Sequence, residues 1–193
     1  MNGPEALLSL RDVALVRGGR LLFEGVSLTL HAGGAAVIRG PNGIGKSSLI
    51  RVAAGLLRAS AGTVTRPSGI ALADEAAALD PRLTVRQALE LWARLDGVPV
   101  EAGMEPMGLT RLADVPVRML STGQRKRATL ARVIASGARL WLLDEPANGL
   151  DAEGQERLAA AMVRHRDGGG AVLAATHQPI GLDDSQELVL GSS

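Results

Sequence analysis

The stretch that decides the fold is Ala35-Ala36-Val37-Ile38-Arg39-Gly40-Pro41-Asn42-Gly43-Ile44-Gly45-Lys46-Ser47. Its four apolar residues, Ala35 to Ile38, run without alternation, which predicts a strand buried on both faces. Gly40 to Ser47 matches G-x-x-x-x-G-K-[ST], and the residues from Lys46 to Leu57 predict a helix. A buried strand, a glycine-rich loop and a helix, in that order, make a phosphate-binding loop. Glycines let backbone N–H groups converge on phosphate oxygens, and the positive end of the helix points at the same place. Lys46 brings a compact charge to the outer phosphates, in a chain that uses Arg almost everywhere else. Ser47 offers its hydroxyl to Mg²⁺. The candidate cradle is therefore Gly40, Pro41, Asn42, Gly43, Ile44, Gly45, Lys46 and Ser47, with Ser48 next in line.

Working outward, Leu8 to Val16 reads as a strand that Gly18-Gly19 turns back into Arg20–Phe23. Val26 to Leu30 alternates and predicts a separate half-buried strand. Short strands are expected at Gly62–Thr65 and Ile70–Ala73. From Ala76 to Gly137 the strand signal stops. Thr84 is placed to cap a helix running to about Asp96, Gly97 to Leu109 reads as irregular, and a second helix follows Ser121. Strand pattern resumes at Leu140–Leu143. A helix from Asp151 to about His165, a buried strand at Ala171–Ala175 and a last strand at Leu188–Leu190 complete the order. Strands alternating with helices predict an α/β fold with a mostly parallel sheet and an N-terminal antiparallel β-subdomain. The helical stretch at about 76–137 reads as an inserted subdomain of one 193-residue domain.

Composition narrows the chemistry. Lys+Arg is 21 against Asp+Glu 20, a net charge of +1, which excludes a strongly basic binder that tracks nucleic-acid phosphates. Arg125-Lys126-Arg127 is a basic run, expected as a solvated helix face. Cys is 0, so a disulfide framework, a thiolate zinc site and a cysteine nucleophile are all excluded. Aromatic residues make up 2%, leaving little on which to stack bases. The apolar runs are strand-length, well short of the ~20 residues of a membrane helix.

Leu140-Trp141-Leu142-Leu143-Asp144-Glu145-Pro146 is an apolar strand ending in two carboxylates. A phosphate loop needs an acid near its Mg²⁺, and a neighbouring parallel strand delivers one at its C-terminal end. Asp144 is read as that metal partner. Glu145, pointing the other way along the strand, is read as the general base that polarises an attacking water. Leu120-Ser121-Thr122-Gly123-Gln124 precedes a helix that either Ser121 or Thr122 can cap, and its N-terminus is a second anion site.

With these residues in place the chain resembles the ATP-binding cassette family over nearly its whole length. The phosphate loop, L-S-T-G-Q, L-L-D-E-P, Asn148-Gly149-Leu150-Asp151 and Ala175-Thr176-His177 stand in the family's order. The resemblance implies a P-loop NTPase core that hydrolyses ATP with Mg²⁺. It also implies a head-to-tail dimer holding two ATP molecules between subunits. Each would touch Lys46 and Ser47 of one chain and Ser121, Gly123 and Gln124 of the other, with Asp151 in the connecting loop and His177 sensing the γ-phosphate. A membrane-embedded permease is the implied partner, and the cytoplasmic face of the inner membrane the implied location. Within the family, Arg17-Gly18-Gly19-Arg20-Leu21-Leu22-Phe23-Glu24-Gly25, Gly-Gln-Arg-Lys-Arg and Leu-Trp-Leu-Leu-Asp-Glu-Pro resemble the motor subunits of haem exporters that serve cytochrome c biogenesis. A motor for another cargo, or a nucleotide-binding module that hydrolyses little, is the alternative.

Three positions depart from the family pattern. Val16 and Arg17 stand where an aromatic residue usually holds adenine, so the Arg17 plane is expected to stack instead. Glu75 stands where Gln is usual and is expected near Mg²⁺. Thr122 replaces a small residue, and its β-branch resists positive φ, so a β-like backbone is expected there.

Overall fold

The structure, a computed structural model, describes residues 5–74, 79–182 and 184–191. Two long strands, β1 (Ala6–Arg17) and β2 (Arg20–His31), are joined by Gly18-Gly19, both at positive φ. The alternation of the sequence breaks between Phe23 and Val26, yet β2 is one strand and not two, because Gly25 (φ +64) absorbs the slip as a bulge. Opposite it, Asp12 takes φ +47 and donates its N–H to Ser27 Oγ at 3.0 Å.

The chain continues through β3 (Ala35–Arg39), α1 (Lys46–Ala54), β4 (Ala61–Thr65) and β5 (Ile70–Ala73). Helix α1 stops short of the expected Leu57 because Gly55 (φ +78) turns its N–H back onto the Arg51 and Val52 carbonyls. Next come α2 (Val85–Asp96), the short α3 (Glu101–Met104) within the stretch expected to be irregular, and α4 (Thr122–Ala135). The last part holds β6 (Leu140–Asp144), α5 (Ala152–Asp167), β7 (Ala171–Ala175) and β8 (Gln186–Val189), the last beginning two residues earlier than the pattern indicates.

Strands β2-β1-β4 form an antiparallel sheet, and β5-β6-β7-β3-β8 a wholly parallel one. The unbroken apolar runs of β3, β6 and β7 follow from burial on both faces. Ala36, Ile38, Leu140, Leu142 and Leu173 pack toward α1 and the antiparallel sheet. Val37, Trp141, Leu143, Val172 and Ala174 pack toward α2, α4 and α5. Each fully buried Leu or Ile here contributes roughly 1.5–3 kcal/mol. The Arg132 guanidinium donates to the Leu72 carbonyl on the edge strand and lies 4.5 Å above the Trp92 ring, fastening α2 and α4 to the sheet. Between β5 and β6 every regular element among the described residues is helical.

Candidate nucleotide site

The C-terminal ends of β3, β6 and β7 meet at one cavity of about 550 Å³, within the range of small-molecule sites. Of the sequence candidates, Arg17, Asn42, Gly43, Gly45, Lys46, Ser47, Ser48, Glu145 and His177 line it, together with Leu22 and Asn148.

The loop after β3 is shaped by its glycines. Gly45 has φ +117, and a Cβ there would meet Phe23 and Leu22 at 3.1 and 3.3 Å, so β2 presses directly on the loop. Gly40 has φ +143, with the Leu190 carbonyl 2.5 Å from where a Cβ would sit. No side chain caps α1, so the N–H groups of its first turn form an anion-binding end. Lys46 is 7% exposed, and its ammonium donates to the carbonyls of Gly40 (2.8 Å) and Pro41 (3.1 Å). Ile44 instead packs against the apolar core beneath the loop.

The strand β6 delivers its two acids to different tasks. Asp144 is buried, and Ser47 Oγ donates to its Oδ1 at 3.0 Å. A hydroxyl beside a carboxylate is an oxygen donor set that suits Mg²⁺, which usually takes one or two protein oxygens and completes its shell with phosphate and water. Among the described residues no three His, Asp or Glu side chains converge as an all-protein metal cage. Glu145 leaves the strand at φ +44, a conformation that costs a non-glycine residue ~1–3 kcal/mol and gathers at functional sites. Its N–H is held by the Ala175 carbonyl at 2.8 Å, and its Oε2 lies 3.0 Å from Nδ1 of His177.

The remaining sequence candidates lie elsewhere. Ser121 and Gln124 form a reciprocal cap at the start of α4: Gln124 N–H donates to Ser121 Oγ at 3.2 Å, and Ser121 N–H to Gln124 Oε1 at 2.9 Å. Ser121, not Thr122, is thus the cap. Thr122 is the first helical residue, correcting the expected β-like backbone; the extended residue is Ser121, at φ −62 and ψ 164. Gly123 sits against the Gly149 carbonyl, 2.8 Å from where a Cβ would be, so α4 begins directly on the loop after β6. The Asp151 carboxylate caps α5 by accepting from Gly154 N–H at 2.9 Å. Arg125, Lys126 and Arg127 are half-buried, contrary to the solvated face expected; Arg125 donates to the Leu120 carbonyl. Glu75 lies outside the described residues.

Sequence reasoning missed Leu22 and Gln178. Leu22 has the right place beside the glycine turn but no polar group to signal it. Gln178 directly follows His177, and its Nε2 lies 3.3 Å from His177 Nε2 and 3.5 Å from Asn148 Oδ1.

Residues 23–148 match the model of the ABC transporter family, and the chain belongs to that family. It is 59% identical over 188 residues to the cytochrome c biogenesis ATP-binding export protein CcmA of Sphingopyxis alaskensis, covering 96% of this chain and 97% of that one. It is 54% identical to the protein of the same name from Novosphingobium aromaticivorans, covering 93% of each. A solved ATP-binding subunit of an ABC transporter superposes with a TM-score of 0.85 over 95% of this chain and 85% of its own; at 21% identity it speaks for the fold. No helix among the described residues is long and apolar enough to cross a membrane.

Proposed function

We propose that this chain is the ATP-hydrolysing motor subunit of an ABC exporter that serves cytochrome c biogenesis, with haem as the cargo. The observation that carries the ATPase reading is the meeting of Lys46, Ser47, Asp144, Glu145 and His177 at one end of the parallel sheet. The names of relatives at 59% and 54% identity support the cytochrome c role. Arg17 and Leu22 are the candidate contacts for adenine, in place of an aromatic ring.

The reaction transfers the γ-phosphoryl group of ATP to water. Glu145 takes a proton from the attacking water, whose oxygen bonds to the γ-phosphorus as the bond to the β-phosphate oxygen breaks, leaving ADP and phosphate. Lys46 and the N–H groups of α1 stabilise charge on the phosphate oxygens. His177 orients Glu145 from Nδ1 and, once ATP is bound and Nε2 carries a proton, donates to the γ-phosphate. Ser47 and Asp144 would hold Mg²⁺, with Glu75 as a further candidate, and the ion would neutralise phosphate charge.

The motor works with a membrane permease and dimerises. We assign the dimer a head-to-tail arrangement, in which Ser121, Gly123 and Gln124 of one chain close over the ATP held by the other, with Asp151 in the loop between. The 193 residues then form one ATPase domain, docked peripherally on the cytoplasmic face of the inner membrane, with a helical subdomain at about 76–137. No nucleic-acid partner is assigned.

Two measurements test this reading. Purified chain with its membrane partner should hydrolyse ATP in a Mg²⁺-dependent way. A strain lacking the chain should make apocytochrome c but no haem-loaded form; normal holocytochrome c would remove the haem role and leave the ATPase reading standing.

A further inference from the structure

The His177 ring is half-exposed, so packing alone does not fix its orientation; its two nitrogens do, by their partners. On one side Nδ1 faces Glu145 Oε2 at 3.0 Å. A carboxylate only accepts, so Nδ1 carries the proton. In the neutral ring Nε2 then bears a lone pair, and it faces the Gln178 amide nitrogen at 3.3 Å, a group that only donates. The same amide nitrogen lies 3.5 Å from Asn148 Oδ1, which accepts from it. Donation thus spreads both ways from the Gln178 amide, to Asn148 on one side and through His177 to Glu145 on the other.

Gln178 is itself held from behind. Its N–H donates to Thr176 Oγ1 at 3.0 Å, and the Thr176 hydroxyl donates back to the Gln178 carbonyl at 3.3 Å. Thr176 is 1% exposed, and its own carbonyl accepts from the Arg39 guanidinium at 3.2 Å. The amide is therefore presented from a pinned turn at the end of β7. It reaches the loop after β6, whose Gly149 carbonyl abuts the start of α4.

We propose that Gln178 is a positioning residue: in the chain without nucleotide it keeps His177 Nε2 unprotonated, and it ties the orientation of that ring to the Asn148 loop. A hydrogen-bond partner on one ring nitrogen fixes which nitrogen is available, and with it what the ring can do next. The inference rests on the ATPase reading for its consequence but not for its geometry. Replacing the amide by an acceptor reverses the pattern, because a carboxylate facing Nε2 calls for a proton there.

The test labels the full chain with ¹⁵N-histidine and reads the ring nitrogens without nucleotide, the His177 signals being assigned by their loss in His177→Gln. The wild-type chain should show Nδ1 protonated and Nε2 unprotonated. Gln178→Glu should protonate Nε2, while the His31 and His165 signals stay in place and report an intact fold. A protonated Nε2 in the wild type, or an unprotonated one in Gln178→Glu, overturns the proposal. In turnover with the membrane partner, Gln178→Ala should lower kcat roughly 10-fold with KM within about twofold. An unchanged kcat, or a loss confined to KM, overturns the link to the reaction. Because the spectra need no ATP, a wild-type chain that shows the expected tautomer yet turns over no ATP counts against the ATPase reading alone.

Discussion

Ser47, at the start of α1, donates its hydroxyl hydrogen to Asp144 Oδ1, at the end of β6, across 3.0 Å. Of the two groups only Asp144 brings a charge to a cation there. Asp144→Asn keeps the shape and removes that charge, so ATPase activity should need more Mg²⁺. The half-saturating Mg²⁺ concentration is the measurement, and identical Mg²⁺ titrations for both proteins would place the metal elsewhere.

Glu145 is held at φ +44 beside His177. Glu145→Gln keeps the size of the side chain and cannot take a proton. It should leave ATP bound and slow hydrolysis by ~10²–10⁴. ATP should then trap the dimer, which size-exclusion chromatography can detect. Wild-type turnover in this variant would exclude Glu145 as the base.

Ser121 and Gly123 lie outside the cavity lined by Lys46 and Ser47. If each site joins the phosphate loop of one chain to the α4 start of the other, lesions in the two halves should complement. Lys46→Ala and Ser121→Arg homodimers should both be inactive. In a mixed dimer both lesions fall in the same site, and the other site is intact. Partial ATPase activity should return on mixing. Mixed dimers, verified by mass spectrometry, that stay inactive would count against a composite site with independent turnover.

The His165 ring stacks on Trp141, with centroids 3.9 Å apart and planes at 10°, and sits 3.3 Å from the Ala171 carbonyl. Burial pushes its pKa below the ordinary histidine value. The unfolded chain therefore takes up this proton at a higher pH than the folded one. Between the depressed folded pKa and about 6.5 the unfolded state binds more protons, so stability falls as pH drops through that window and levels off below it. His165→Phe keeps the stack and removes the titration. Its melting temperature should fall less than that of the wild type between about pH 7.5 and 5.5. Equal falls in both proteins would show that other groups set the acid response.

The parallel core was legible because burial on both faces leaves unbroken apolar runs at Ala35–Ile38, Leu140–Leu143 and Ala171–Ala175. Helix starts were legible at Thr84, Ser121 and Asp151, where a side chain caps the first turn. Continuity through Gly25 was not, because a bulge interrupts alternation without ending the strand. Nor was the half-buried state of Arg125 to Arg127, since burial of long cationic stems depends on neighbours far along the chain. The cavity residues with motif spacing were found, whereas Leu22 and Gln178 depend on where β2 and the turn after β7 fall in space.

The strand that leads into the phosphate loop pairs only with β7 and β8, the last two strands of the chain among the described residues. A ribosome therefore finishes the loop on the order of ten seconds before that strand's neighbours exist. During that interval the residues of the glycine motif are present, but the sheet end that assembles them into a site is not. The capacity to hold nucleotide should thus arrive late in synthesis, and stalled chains ending before Ala171 should fail to retain ATP in a filter-binding assay. A fragment released early would carry the whole Gly40–Ser47 motif and still have no means of competing with finished subunits for ATP.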